Sequence, residues 1–346
     1  MTLETARTAG RPVMTDVARL AGVSQKTVSR VINDAPNVSD DVRGRVLAAI
    51  ASLGYRPNPA ARALVTQRTR VLGIVTPGTA LYGPTAQLFG IERAAWTAGY
   101  SVVIVSTAGS SGQELGRAID RLVDHGVEGI VLAGSITVED LAPDAFHGIP
   151  AISVGDPLSG ILTCPAVAPD QRGGARLATE HLLALGHRTV WHVAGPDSWF
   201  SANSRLEGWR EALVAAGAPV PEPISGDWTA RAGYEAGLEL AARPEVTAVF
   251  AANDQMAIGL MRALVEAGRR VPQDVSVVGF DDEPDSGYLL IPLTTVRQDF
   301  EVTTGRAVAE LVRSITGEES SHGTTTIPVD LVIRSSSGPA PRTAPD

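Results

Sequence analysis

The sequence predicts an all-α helix-turn-helix head, a short linker, and an α/β core of two doubly wound parallel-sheet lobes. Three observations carry this prediction. Residues 13–37 hold two short amphipathic stretches on either side of Gly22, the spacing of a helix-turn-helix. From residue 71 onward, short apolar runs alternate with helical patterns, which implies parallel strands covered on both faces. The charge is divided along the chain: residues 1–68 carry ten Arg/Lys against five Asp/Glu, and the remainder carries 19 against 33.

The head is taken first. Thr15 is placed to cap the first helix, with Asp16 in its first turn, where a negative charge suits the helix dipole. Val17, Ala18, Leu20 and Ala21 give this helix a small apolar face, and Gly22 ends it. Ser24 can cap the second helix, which Val28, Val31 and Ile32 line on one side. Gln25, Lys26, Thr27, Ser29 and Arg30 occupy its start and outer face, where they can bond to phosphates or base edges. By spacing alone, a helical hairpin with an ordinary polar face remains equally open. Ser39, Asp40 and Asp41 begin a third helix with an apolar stripe at Val42, Val46, Ala49, Ile50 and Leu53, ended by Gly54. Three such helices can close one small core.

The length of 346 residues suggests two or three domains, and a hydrophobic fraction of 44% is that of a globular chain. No apolar run reaches membrane-spanning length, and the first residues lack the apolar centre of a signal peptide. The one cysteine, Cys164, excludes an intramolecular disulfide. These facts point to the cytoplasm. The net charge of −9 argues against nucleic acid until its distribution is considered. A basic head on an acidic body attracts phosphates through one end only. Lys26 is the sole lysine, so arginine supplies the remaining positive charge.

Residues 1–12 show no periodicity and are expected to form a mobile tail. Asn58 suits an N-cap and Pro59 the first helical position, but a helix over Ala60 to Leu64 is too short to be stable alone in water. Strands are expected at 71–75, 101–106, 129–133, 151–154, 189–194, 248–251 and 275–279, with a further segment near 224–228. Helices are expected around 84–98, 112–125, 171–185, 202–216, 230–242 and 254–267. Ten or so strands divide better between two lobes than into one sheet. Ser335–Asp346 is Ser/Pro-rich and is expected to fray. The division is therefore a head over 1–57, a linker over 58–68, a two-lobed core over 69–338 and a disordered tail over 339–346.

The motifs Thr15-Asp16-Val17-Ala18, Ala21-Gly22-Val23-Ser24, Thr27-Val28-Ser29-Arg30-Val31-Ile32-Asn33 and Gly54-Tyr55-Arg56-Pro57-Asn58 closely resemble the headpiece of the lactose-repressor (LacI/GalR) family. The body resembles the same family at Glu180–His187, Ala194-Gly195-Pro196, Arg205 with Gly208-Trp209, Gly226-Asp227-Trp228, Ala252–Gly259, Val277–Asp282 and Leu293–Phe300. The resemblance implies a transcriptional regulator, a repressor by the commoner pattern, acting as a homodimer on a pseudo-palindromic operator. It makes residues 58–68 a hinge helix that orders on operator DNA and enters the minor groove, with Leu64 as the wedge at a central base step. It extends the DNA-contacting set to Thr15, Asn33, Tyr55, Asn58 and Ala61. It implies a periplasmic-binding-protein-like core, with a small sugar held between the lobes. Residues 335–346 show no apolar heptad, so a C-terminal tetramerisation coil is not expected.

Asn253, Asp254, Asp281 and Asp282 fall at the carboxyl ends of expected strands, where open α/β sheets bind ligands. Arg205 leads a helix at a similar edge, and Trp228 offers a flat apolar face. Together these supply the donors, acceptors and stacking surface that a sugar needs. The competing reading makes Asp281 and Asn253 helix caps and Trp228 a core residue. Asp156 is displaced by one position from the family's usual acid, and Tyr82 lies in a loop that departs from the common pattern.

An enzyme is the rival class, but the sequence holds no P-loop, no Gly-x-Ser-x-Gly elbow and no H-E-x-x-H. No catalytic residues, cofactor, metal site or membrane partner are expected. His181 and His187 lie six apart around a helix end, where capping is commoner than metal binding. A transport sugar-binding protein or a sugar-processing enzyme on the same core is the alternative; the basic head argues against both.

Overall fold

The structure, a computed structural model, describes residues 12–56, 59–107, 111–134, 141–142, 144–156, 164–319 and 323–341. Its internal contacts divide the chain into two compact units between Thr69 and Arg70. Asn58, residues 1–11 and residues 342–346 lie outside the described residues.

The first unit holds α1 (Met14–Ala21), α2 (Gln25–Ile32), α3 (Asp40–Leu53) and α4 (Pro59–Thr66). Thr15 does not cap α1. Val13 is the N-cap residue, and the Asp16 carboxylate accepts from its backbone N–H at 3.1 Å, so one orphan amide is satisfied without a hydroxyl. Gly22 (φ +66°) and Gly54 (φ +60°) end α1 and α3 in the left-handed conformation that lacks a Cβ penalty. Ser24 caps α2 as expected, accepting from the Thr27 N–H at 3.2 Å. Val17, Val28, Val31, Val46, Ala49 and Tyr55 close the core of α1–α3. Arg45 fastens α3 to α1 by donating to the Ala21 carbonyl at 3.0 Å.

The second unit carries two six-stranded sheets among its described residues. The first lobe contains β1 (Val71–Pro77), β2 (Ser101–Thr107), β3 (Gly129–Ala133), β4 (Ala151–Val154), β5 (Ala166–Pro169) and β11 (Thr324–Ile327), all parallel, in the order β11-β5-β4-β3-β1-β2. Helices α5 (Tyr82–Thr97), α6 (Gly112–Asp124) and α11 (Phe300–Thr316) pack on it. The second lobe contains β6 (Trp191–Ala194), β7 (Ile224–Ser225), β8 (Ala248–Ala251), β9 (Ser276–Asp281), β10 (Thr294–Arg297) and β12 (Asp330–Val332), in the order β12-β10-β9-β8-β6-β7. Only the β10–β12 pair is antiparallel there. Its helices are α7 (Gln171–Ala184), α8 (Phe200–Ala215), α9 (Ala230–Ala241) and α10 (Asp254–Glu266). The chain crosses between lobes three times, after β5, after β10 and between β11 and β12. Each lobe has its own apolar clusters, around Ile74, Val131 and Leu122 in the first and Val249, Leu260 and Phe250 in the second.

The structure corrects several expectations. Arg205 does not lead its helix but sits in the second turn of α8. Beyond residue 279 the sequence placed no element, yet β10, α11, β11 and β12 follow. The segment 335–341 is ordered rather than frayed. The Ser336 hydroxyl accepts from the Thr294 N–H at 2.7 Å and donates to the Val277 carbonyl at 2.7 Å, and the Ala340 N–H donates to the Leu185 carbonyl at 3.0 Å. His181 and His187 serve this segment instead of capping a helix. His181 Nε2 lies 2.9 Å from Ser337 Oγ, and His187 Nε2 lies 3.1 Å from the Gly338 carbonyl. Burial lowers the basicity of both rings.

Helices α9 and α10 meet backbone to backbone. A Cβ on Gly259 would stand 1.8 Å from the Ala230 carbonyl oxygen, and one on Gly233 would stand 2.0 Å from that of Met256. Backbone cannot yield as a flexible side chain would. Gly259→Ala should therefore cost about 3 kcal/mol of stability in urea unfolding, through overpacking. Gly116→Ala in α6, whose Cβ would meet nothing nearer than Leu141 at 3.9 Å, should stay within about 1 kcal/mol of the parent or gain from the helix preference for alanine.

Candidate functional site

Two surfaces carry functional chemistry, and the first is the outer face of α2. Gln25, Lys26 and Arg30 are exposed and make no hydrogen bond or ion pair within the head. Arg19, Arg43 and Arg45 differ: they bond to Asp16, to Asp34 and the Ala35 carbonyl, and to the Ala21 carbonyl. Three polar side chains of α2, Gln25 and Lys26 at its start and Arg30 in its last turn, are thus kept free. The other expected contacts divide. Ser24 is occupied as the cap and shares a 2.9 Å hydrogen bond with Thr27. Asn33 donates to the Ser29 carbonyl at 2.9 Å. Thr15 and Ala61 are exposed, and Leu64 on α4 is 84% exposed. Tyr55 is buried in the head core, so its ring packs rather than presents itself.

The second surface is the cleft between the lobes, at the carboxyl ends of the central strands. That position follows from strand order. In each sheet the chain reverses direction beside the central strand, and the loops there part to leave a crevice. The first lobe contributes Leu81, Tyr82, Pro84, Gln87, Gly134 and Asp156. The second contributes Gln171, Trp199, Ser201, Arg205, Trp228, Asn253, Asp281 and Gln298, and Phe300 begins α11 at the same edge. All six sequence-proposed effector residues, Arg205, Asp281, Asn253, Trp228, Asp156 and Tyr82, line this cleft.

Arg205 is 5% exposed and lies with its guanidinium carbon 3.7 Å from the Phe280 ring centroid. It donates to the Ala252 carbonyl, to Gln171 Oε1 at 2.8 Å and to Asp281 Oδ1 at 3.4 Å. Asp281 also accepts from Gln298 Nε2 at 2.6 Å. Burial raises its pKa to about 6, opposed by Arg205 and Gln298. Burial also lowers the basicity of Arg205, opposed chiefly by Asp281, yet a guanidinium stays protonated at neutral pH. Asp281 (φ +115°) and Trp228 (φ +72°) hold left-handed backbone, strain of the sort that collects at binding sites. Trp228 meets Trp199 edge to face, with centroids 5.6 Å apart, and Tyr82 meets Phe300 in the same way at 5.8 Å. Burial, followed by the nearby Asp281, raises the Tyr82 pKa, so its hydroxyl is a donor at neutral pH.

Asn253 is both a cap and a lining residue. Its side chain accepts from the Met256 N–H at 3.0 Å and donates to the Trp228 carbonyl at 3.0 Å, which fixes the tryptophan at the wall. Asp254 and Asp282, expected at the same strand ends, serve structure instead. Asp254 is fully buried and accepts from the Glu283 N–H, the Ser286 hydroxyl and the Thr295 hydroxyl. Asp282 accepts from Arg297 and Arg334, each at 2.6 Å. Sequence reasoning missed Gln87, Gln171, Trp199, Ser201, Gln298 and Phe300. Gln298 and Phe300 stood inside the matched run Leu293–Phe300, so the signal existed there. Among the described residues, no group of three His, Cys, Asp or Glu could hold a metal ion, and no helix is long and apolar enough to cross a membrane.

Residues 13–58 match the bacterial regulatory proteins of the lacI family, and residues 179–337 match the periplasmic binding protein-like domain. The chain is 40% identical over 336 residues to the HTH-type transcriptional regulator CelR of Thermobifida fusca, covering 93% of this chain and 96% of that one. The chain belongs to the LacI family. As a family member it is a DNA-binding transcriptional regulator with a ligand-binding core, not an enzyme. The fold agrees with the crystal structure of the lac repressor dimer bound to operator and the anti-inducer ONPF (TM-score 0.85, 34% identity, 95% of this chain and all of that one). It also resembles a CelR–cellobiose complex (TM-score 0.69, 34% identity, 94% of this chain and all of that one).

Burial raises the pKa of Asp254 to about 7, with Asp281 adding to the effect. A carboxyl group whose folded pKa lies above its unfolded value favours folding most when protonated. Its contribution is complete below about pH 4 and is lost as pH rises through about 7. Between these limits folding takes up a proton at Asp254. Asp254→Asn should remove that uptake, flattening the pH dependence of urea-unfolding stability by up to about 1.4 kcal/mol per pH unit relative to the parent.

Proposed function

We propose that this LacI-family regulator is a cytoplasmic homodimeric repressor that binds a pseudo-palindromic operator and is controlled by a mono- or disaccharide in the inter-lobe cleft. Residues 1–57 form the DNA-binding headpiece, 58–68 the hinge, and 69–338 the effector-binding and dimerisation core, with 339–346 as the tail. The observation that carries the reading is the buried Arg205–Asp281 pair, set beside the Trp199–Trp228 face at the carboxyl ends of the strands. A fork of donors, a carboxylate acceptor and an aromatic face are what vicinal hydroxyls and a C–H patch require. Asn253 and Tyr82 add polar contacts, and Asp156 faces Arg205 electrostatically from the first lobe. Cellobiose, the ligand in the CelR complex, is the first sugar to try.

The free side chains of α2 read the operator. Gln25 suits adenine, whereas Lys26 and Arg30 suit guanine. Thr15, Ser24, Thr27, Ser29, Asn33 and Asn58 position the head on the backbone, and Ala61 and Leu64 enter the minor groove. Closure of the lobes on sugar shifts the hinge segments of the dimer. The ligand moves that equilibrium only by its differential affinity for the two arrangements, typically about 1–3 kcal/mol of coupling.

Two measurements test this reading. Calorimetric titration with cellobiose, then lactose and ribose, should identify a binder, and Asp281→Asn should weaken its binding by about ten- to a hundredfold, the value of a hydrogen bond to a charged group. Unchanged affinity would place the sugar elsewhere. Selection on randomised operators should show that Arg30→Ala costs about 1–3 kcal/mol and relaxes one base position in each half-site. The same selected site for parent and variant would remove Arg30 from base reading.

A further inference from the structure

We propose that Gln171 and Gln298 form a hydrogen-bonded relay that couples occupancy of the cleft to the pivot between the lobes; this rests on Arg205 and Asp281 holding the effector. Gln171 opens α7, just past the first crossover, and Gln298 follows β10 on the second. Both are buried, each 6% exposed. Arg205 Nε donates to Gln171 Oε1 at 2.8 Å, Gln171 Nε2 donates to Gln298 Oε1 at 2.9 Å, and Gln298 Nε2 donates to Asp281 Oδ1 at 2.6 Å. The Arg205–Asp281 contact at 3.4 Å closes the ring.

The direction of these bonds carries the argument. Each amide accepts on the side of the cation and donates on the side of the anion, so the charges at the two ends polarise every link in one sense. The chain bridges 127 positions of sequence and ties together two of the three segments through which the lobes can pivot. A pivot changes the torsions of residues 169–171 and 297–300 and so alters the Gln171–Gln298 distance. An effector that takes an oxygen of Asp281 or a donor of Arg205 removes the polarising end of the same chain. Site and pivot therefore act on one element, which is the physical requirement for coupling. Gln171 and Gln298 are positioning residues, acting through the pair that would hold the ligand.

The test uses the full chain and four variants: Gln171→Met, Gln298→Met, the double variant and Gln171→Glu. Methionine keeps the length and removes the hydrogen bonds. Glutamate keeps the acceptor for Arg205 and removes the donor to Gln298. Amide hydrogen exchange is read without ligand in the first turns of α7 and α11. Gln171→Met and Gln171→Glu should each speed exchange in residues 300–303 several-fold, up to about tenfold, and Gln298→Met should do the same in residues 171–175, the loss expected for one hydrogen bond between amides. The double variant should be no faster than the single ones. Variants that loosen only their own segment, or a Gln171→Glu that behaves as the parent, would overturn the relay. A second arm measures operator affinity with and without cellobiose. A parent that ignores cellobiose, lactose and ribose defeats the sugar reading alone, because the exchange arm still decides the relay. A parent that responds should lose most of its response in all four variants alike; retention in the methionine variants would also overturn the proposal.

Discussion

The buried pair of Arg205 and Asp281 is the constraint around which the core is arranged. Taking both charges out of water costs several kcal/mol for each ion, and their mutual attraction offsets this only with good geometry and further hydrogen bonds. The structure supplies those from three directions. The Ala252 carbonyl follows β8, Gln171 opens α7, and Gln298 follows β10, so each added partner comes from a different part of the chain. Phe280 carries the flat face of the guanidinium. The pair can persist because the folding free energy lies elsewhere. Each lobe closes its own apolar clusters, and neither core has to pass through the cleft. A polar boundary between two self-sufficient lobes can open and close without exposing either core.

The carboxylates around the pair have a second consequence. Burial lifts Asp281, Asp254 and Glu283 above the usual carboxylate range, Glu283 to about 8; the Asp281 charge adds to the rise of Asp254 and Glu283, whereas Arg205 and Gln298 hold Asp281 back. Asp254 meets this cost with three donors, which fasten the loop after β9 and the start of β10 to the first turn of α10. Burial first, then the nearby Asp281 and Asp254 charges, pushes Glu283 toward its neutral form. The acid-rich run Asp281–Glu283 is therefore three residues in three settings: Asp281 faces the cleft, Asp282 anchors Arg297 and Arg334, and Glu283 is shifted toward the neutral acid.

Much of this was legible in the sequence, and the failures have physical causes. The head was readable because its signals are local: Ser24, Gly22 and Gly54 act within one turn of where they stand. Thr15 misled because α1 begins at Met14 with Val13 as its cap, where the Asp16 carboxylate ties down the Val13 N–H and no capping hydroxyl is used. The central strands were readable as continuous apolar runs. Ala166–Pro169 and Thr324–Ile327 were not, because small residues, prolines and threonines conceal strands whose partners lie far away in sequence. Asn253 and Asp281 could be placed at the carboxyl ends of expected strands and Arg205 at a similar edge, whereas Trp228 offered only its flat face. Gln171 could not, since nothing local distinguishes a glutamine that bonds across 127 positions from one that faces solvent; for Gln298 the only signal was its place inside the matched run.

The head leads into the core through α4, a helix too short to hold by itself. α4 has eight residues, about two turns, which is below the length at which an isolated helix holds in water. Its Leu64 is 84% exposed, although leucine gains about 1.5–3 kcal/mol when buried. A short helix with an unburied leucine is stabilised by whatever covers that side chain. On the proposed function, this is a base step in the minor groove together with the partner hinge. The division of charge accords with that reading: the basic head is drawn to phosphates, while the acidic remainder is repelled by them. On that reading, a ligand in the cleft acts on α4 through its C-terminal end, Thr66, four residues before the core begins at Arg70, and a helix this marginal turns a small displacement into order or disorder.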